Sequence, residues 1–176
     1  QKILPDFECI PQSVFNISDV EETGKNFEEN AILKAKNAFT KTNISSIGDD
    51  SGLIVPEINN EPGLYSARYS GVNATDSDNR NKLISKLKDK KLESTYAYFF
   101  CCIVAVGIKG QNEIIVCSGK VEGEVRTIER GEKGFGYDPM FYPKGYSESF
   151  AELSSLEKNK ISHRGLALKK LMEKLN

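Results

Sequence analysis

Ile47-Gly48-Asp49-Asp50-Ser51-Gly52-Leu53 sets two adjacent carboxylates between two short apolar runs. A carboxylate among apolar neighbours is costly unless a cation meets it, so at least one of the pair needs a partner. Consecutive residues of an extended segment point to opposite sides. On that reading one aspartate faces the protein as a structural acceptor and the other faces a cleft. Gly48 and Gly52 let the backbone bend and a ligand come close. The same letters also describe an acidic hairpin turn. The local expectation is a strand ending near Ile47, a turn over Asp49–Gly52, and a second strand over residues 53–57.

Upstream, a helix is expected over residues 27–40, with Asn26 as cap and Glu29 at the third helical position, a capping-box-like start. Its apolar stripe of Phe27, Ala31, Ala35, Ala38 and Phe39 is mostly small, so it should pack close to a sheet. Lys34 lies at the stripe's edge, where a lysine ordinarily snorkels to solvent. Downstream, residues 59–63 read as a loop and residues 75–88 as a helix with Leu83, Ile84 and Leu87 inward. Residues 96–108 and 113–118 read as strands joined by the hairpin Lys109-Gly110-Gln111-Asn112, and residues 120–126 extend the sheet. A long glycine-rich segment then leads to a last helix over 162–175, with Leu168, Leu171, Met172 and Leu175 on one face. Strands and helices mix without strict alternation, which predicts an α/β chain with a mixed sheet.

A length of 176 residues suits one domain with a core of its own, so residues 1–176 are expected to form a single domain. With 24 basic against 25 acidic residues, the chain lacks the basic excess of a duplex-binding protein, and no nucleic-acid partner is expected. A small anion held by a few local cations remains open. The longest apolar stretch, residues 96–108, falls short of the roughly 20 residues that span a bilayer, and no signal peptide opens the chain, which starts at Gln1 without a methionine. No membrane partner is expected. Cys9, Cys101, Cys102 and Cys117 show no C-x-x-C spacing, with one histidine beside them, which argues against zinc. Cys101 and Cys102 read as buried strand residues, and a reducing, cytoplasmic location fits.

Three further stretches carry chemistry. Glu21-Glu22-Thr23-Gly24 joins Asp49 and Asp50 in an oxygen-only donor set that suits Mg²⁺, which binds through one or two carboxylates plus substrate phosphates. The plainer reading is favourable charge before a helix N-terminus. Gly131-Glu132-Lys133-Gly134-Phe135-Gly136-Tyr137-Asp138-Pro139 describes a shaped loop able to lay an aromatic face on a planar base, or a long surface loop. It is neither a Walker loop nor a dinucleotide fingerprint, because the glycine spacing is wrong. Ser162-His163-Arg164-Gly165, with Lys158 and Lys160 before it, puts cations at a helix N-terminus against the dipole. That arrangement makes better sense if an anion or polar ligand arrives. No Gly-x-Ser-x-Gly elbow supports a Ser-His-Asp triad. An acidic metal site, a basic helix end and an aromatic-glycine loop together suit a nucleoside phosphate with Mg²⁺.

Taken in order, Glu22-Thr23-Gly24, Phe27 with Glu29-Asn30-Ala31, Asp49-Asp50-Ser51-Gly52-Leu53, Pro62-Gly63 with Ser66-Ala67-Arg68, residues 134–139 and residues 162–165 resemble the Ham1-like inosine triphosphate pyrophosphatases over nearly the whole chain. The resemblance implies Mg²⁺-dependent hydrolysis of non-standard purine nucleoside triphosphates (ITP, dITP and XTP) to the monophosphate and pyrophosphate, which clears them from the nucleotide pool. It implies a homodimer and an elongated α/β fold of two lobes with a central cleft. Carried over by residue, Asp50 resembles the catalytic carboxylate that binds metal and activates water, and Glu22 or Glu21 the second metal-side acid. Ser51, Lys34 and Arg68 would face the substrate. Phe135, Gly136, Tyr137 and Asp138 would hold the purine, and Lys158, His163 and Arg164 would read its 6-oxo edge.

One departure bears on activity. The family opens with a strand and a Ser/Thr-Gly-Asn-x-x-Lys loop that grips the triphosphate, and no counterpart stands in the chain from Gln1 onward. The alternative this opens is a catalytically inactive nucleotide-binding, dimerising module; a separate third reading is a different metal-dependent phosphohydrolase, distinguished by release of orthophosphate instead of pyrophosphate.

Overall fold

The computed structural model describes residues 7–110 and 113–175. The Asp-Asp-Ser-Gly stretch is not a turn. It runs extended through the middle of β1 (Ser46–Val55), whose burial alternates until Gly52 and then stays complete to Val55. The reason is tertiary. Helix α1 (Phe27–Thr42) lies on the strand at Gly48, where a Cβ would come within 2.6 Å of the Ala31 carbonyl and the Ala35 amide. The small-residue stripe is the surface that allows this approach. The reversal comes later, in a 3-10 turn at Pro56–Ile58 followed by Asn59 and Asn60 with positive φ. It returns the chain as β2 (Glu61–Pro62), antiparallel to β1 with Ile54 opposite Pro62. Strand β3 (Ser94–Val106) and strand β4 (Ile114–Arg126) are long and unbroken, so the two pieces expected over 113–118 and 120–126 are one strand. Gln111 and Asn112 of the expected hairpin lie outside the described residues. Strand β5 (Phe141–Pro143) pairs antiparallel with β4. The sheet order is β2-β1-β3-β4-β5.

The chain divides into two compact units. The first takes residues 1–50, 101–119 and 163–176. It contains α1, capped as expected by the Asn26 side chain on the Glu29 N–H, and α4 (His163–Leu175). Its core is Cys101, Ile103, Ala105, Ile115, Cys117, Ala167 and Leu171. Cys101, Cys102 and Cys117 are buried and free, as expected of strand cysteines. Helix α4 meets β4 at Gly119, where a Cβ would fall 2.0 Å from the His163 carbonyl oxygen.

The second unit takes residues 51–100 and 120–162. Helix α2 (Asp76–Asp89) starts on a capping box between Thr75 and Asp78 and buries Leu83 and Leu87. Phe99, Phe141 and Phe150 form its aromatic centre, with ring centroids 4.8 Å apart for Phe99–Phe141 and 5.0 Å for Phe141–Phe150. Burying each such ring contributes about 1.5–3 kcal/mol. Part of the expected irregular segment is helical: α3 (Ser155–Ile161) has a capping box of Ser154 and Glu157. Ser162 is extended and separates α3 from α4. No helix among the described residues is long and apolar enough to cross a membrane.

Candidate active site

In the first unit the site is built where α1 crosses β1. Asn30 and Lys34 are four residues apart and so share a helix face. Lys34 Nζ lies 2.6 Å from Glu22 Oε1 and 2.8 Å from Asp50 Oδ1, and donates to the Asp49 carbonyl at 3.1 Å. Asn30 Nδ2 donates to the other Asp50 oxygen at 3.2 Å, while its Oδ1 accepts from the Gly24 N–H at 2.8 Å. Asp50 is 6% exposed, yet both its oxygens are satisfied. Lys34 is therefore no snorkelling lysine; its ammonium is drawn inward by two carboxylates.

Glu22 and Asp50 both contact the Lys34 ammonium. Burial pushes the Asp50 carboxyl above the usual carboxylate range, against Lys34 and Asn30 and with help from the Glu22 charge. Burial alone would lower the Lys34 ammonium, but hydrogen bonds and charges from Asp50 and Glu22 outweigh it and raise it. An oxygen-only donor set suits Mg²⁺. Of the two candidate acids, Glu22 reaches this cluster, whereas Glu21 is exposed. Among the described residues no group of three or more acids, histidines or cysteines is gathered for a metal, so the fit rests on Glu22 and Asp50 with ligands from substrate.

Asp49 points the other way, as strand alternation requires. Its Oδ2 accepts from Arg164 Nε at 2.7 Å, with Arg164 Nη2 also 2.7 Å from that oxygen. Both side chains are 38% exposed. The anion that the basic start of α4 calls for is, in this structure, Asp49. His163 beside it is buried, with its carbonyl over Gly119.

In the second unit the glycine-rich loop is shaped from within. Asp138 is buried, accepts from the Phe135 N–H at 2.8 Å, and pairs with Lys158 from α3. Gly134 has φ +80°, and a Cβ there would lie 2.0 Å from Asp138 Oδ2, so only glycine fits. Tyr137 is buried, and its hydroxyl donates to the Ser66 carbonyl at 3.0 Å; burial pushes its phenol up. Ser66 Oγ in turn accepts from the Leu53 N–H at 3.0 Å and donates to the Gly63 carbonyl at 2.6 Å. Phe135, in contrast, is 60% exposed, with the Lys158 ammonium 5.0 Å from its ring centroid. Ser51 is half-buried on β1, and the Arg68 guanidinium lies 5.4 Å over the Tyr65 ring. Sequence reasoning passed over Asn30 as a site residue. Its spacing from Lys34 on one helix face was the available signal.

The Ham1 family model matches residues 1–174. The chain belongs to the Ham1 family. A dITP/XTP pyrophosphatase of Legionella pneumophila is 45% identical over 171 residues, covering 97% of this chain and 88% of that protein. One of Idiomarina loihiensis is 47% identical over 165 residues, with 94% and 82% covered. The solved structure of a HAM1 protein from Coxiella burnetii superposes with a TM-score of 0.90 at 41% identity, covering 99% of this chain and 90% of that one. The sheet with its helices, expected as α/β, is thus the Ham1 fold, and Asp50 with Lys34, Asn30 and Glu22 is this member's acidic cluster.

Proposed function

We propose that this Ham1 chain hydrolyses non-standard purine nucleoside triphosphates (ITP, dITP and XTP) to the monophosphate and pyrophosphate, as a single pyrophosphatase domain. The observation that carries the chemistry is the buried Asp50 carboxylate, held at one oxygen by Asn30 and at the other by Lys34, whose ammonium also meets Glu22. Relatives named as dITP/XTP pyrophosphatases at 45–47% identity support the substrate class and disfavour the inactive-module alternative.

Mg²⁺ held by Glu22 and Asp50 would polarise the phosphate oxygens and lower the pKa of a bound water. Asp50 is the base: water adds to the α-phosphorus and its proton passes to the carboxylate. The bond from the α-phosphorus to the bridging oxygen breaks, and pyrophosphate leaves with the electron pair. Asn30 and Lys34 fix the orientation of the carboxylate during this step, and Lys34 adds positive charge where phosphate charge develops. Ser51 and Arg68 serve the phosphates and sugar. Phe135 offers its ring to the purine, while Tyr137 and Asp138 hold the loop from within. Lys158, His163 and Arg164 supply the donors that favour a 6-oxo group over an amino group. Homodimeric assembly and a cytoplasmic location belong to the same proposal and rest on the family resemblance; no nucleic-acid or membrane partner is proposed.

The test is pyrophosphate release from ITP, XTP, GTP and ATP, with and without Mg²⁺, by wild type and Asp50→Asn. The expected result is turnover of ITP and XTP that needs Mg²⁺ and Asp50. Equal turnover of ATP and ITP, or full activity in Asp50→Asn, refutes the proposal.

A further inference from the structure

Asp76 and Arg80 stand four residues apart on α2, so both project from one face of the helix. Both close on a single residue of the glycine-rich loop. Asp76 Oδ2 accepts from the Gly136 N–H at 2.6 Å, and Arg80 Nη1 donates to the Gly136 carbonyl at 2.9 Å. Gly136 has φ +59°, with open space where a Cβ would stand; the glycine serves the backbone conformation, not a close approach. An acid in the first turn of a helix is ordinary. A guanidinium one turn further on, 16% exposed and reaching for a loop carbonyl, is not explained by the helix. Arg80 is itself held, because Glu129 Oε1 lies 3.0 Å from its Nε as an ion pair, with the N–H turned away from that line.

Phe135 therefore sits between two anchors. Its own N–H is held by Asp138, and the next residue is gripped at both backbone polar groups from α2. We propose that Asp76 and Arg80 are positioning residues for purine recognition, a clamp that presents the exposed Phe135 ring in one orientation. The inference rests on the reading of Phe135 as the platform for the base. A glycine-rich segment freed of such anchors samples many orientations, and apparent affinity falls with the fraction that remains competent. Chemistry at Asp50, once substrate is bound, is untouched by this change.

The experiment compares the full chain as wild type, Arg80→Ala, Arg80→Lys, Asp76→Asn and Phe135→Ala. It combines steady-state ITP hydrolysis, thermal melting and amide hydrogen exchange of residues 131–140. In Arg80→Ala the KM for ITP should rise about tenfold with kcat held within about twofold. Arg80→Lys should recover most of that loss. Loop amides should lose protection in Arg80→Ala and Asp76→Asn while the core keeps its own. A lowered kcat at unchanged KM overturns the proposal, as does a lower melting temperature with KM unchanged. Unchanged loop exchange in Arg80→Ala refutes the clamp with the platform intact. An unchanged KM in Phe135→Ala refutes the platform reading, and the recognition role with it.

Discussion

Removing the Lys34 ammonium while keeping its surroundings is the sharpest perturbation of the acidic cluster. In Lys34→Ala, Asp50 loses its 2.8 Å partner and Glu22 its 2.6 Å partner, while the Asn30 amide remains on Asp50. Breaking a buried ion pair costs about 3–5 kcal/mol. The Lys34 side chain is 30% exposed, so solvent takes up part of this, and about 2 kcal/mol is expected. At about 2–4 °C per kcal/mol for a chain of this length, melting should fall by about 4–8 °C at neutral pH. The pH dependence has a definite sign. Burial already raises the Asp50 carboxyl, and losing Lys34 raises it further. A carboxyl raised in the folded state opposes folding above its folded pKa, and this opposition disappears once the pH falls below the unfolded value. The Lys34→Ala deficit should therefore shrink on acidification from neutral into the usual carboxylate range. Adding Asp50→Asn removes the stranded charge and should return at least half of the loss at neutral pH. Thermal melts of the two single variants and the double variant, at neutral and acidic pH, decide the matter. Simple additivity of the two substitutions, or a deficit that grows on acidification, refutes the reasoning.

Three other outcomes follow from single contacts. Gly119→Ala drives a Cβ to 2.0 Å from the His163 carbonyl oxygen; overpacking of this kind costs about 1–3 kcal/mol, to be seen as a lower denaturation midpoint in urea. Tyr137→Phe removes the hydroxyl that donates to the Ser66 carbonyl and should cost about 1 kcal/mol, read by chemical denaturation, with a rise in the KM for ITP if the loop moves. Glu61 is held below the usual carboxylate range, first by Lys86 and then by the Tyr69 hydroxyl. Its contribution is present above the unfolded pKa and lost as pH falls through the lowered folded value. Glu61→Gln should thus destabilise by about 0.5 kcal/mol at neutral pH and hardly at all in strong acid, measured by denaturation at the two pH values.

The parts legible in the sequence are those with local causes. Asn26 and Glu29 start α1 as their spacing predicts, and Thr75 and Asp78 start α2. The alanine stripe on α1 foretold close packing, and Gly48 is where it occurs. The equally local Ser154-x-x-Glu157 signal that starts α3 was there to be read, but α3 is only seven residues long. Asp49 to Gly52 failed for the opposite reason. Their turn propensity is overridden by a helix that packs on the strand from one side and holds Asp50 through residues 16 and 20 positions away.

By itself the sequence determined the family, because motif order and residue chemistry are carried by the letters. The split of duties between Asp49 and Asp50 also follows from the letters, once the segment is extended. Only the tertiary structure decided that it is extended, that Glu22 and not Glu21 shares Lys34 with Asp50, and that Arg164 answers Asp49 from 115 residues away. It also decided that α2 grips Gly136. Each of these is a pairing of charges and backbone groups across the fold. Local propensity carries no information about which distant partner packing will bring within hydrogen-bond reach.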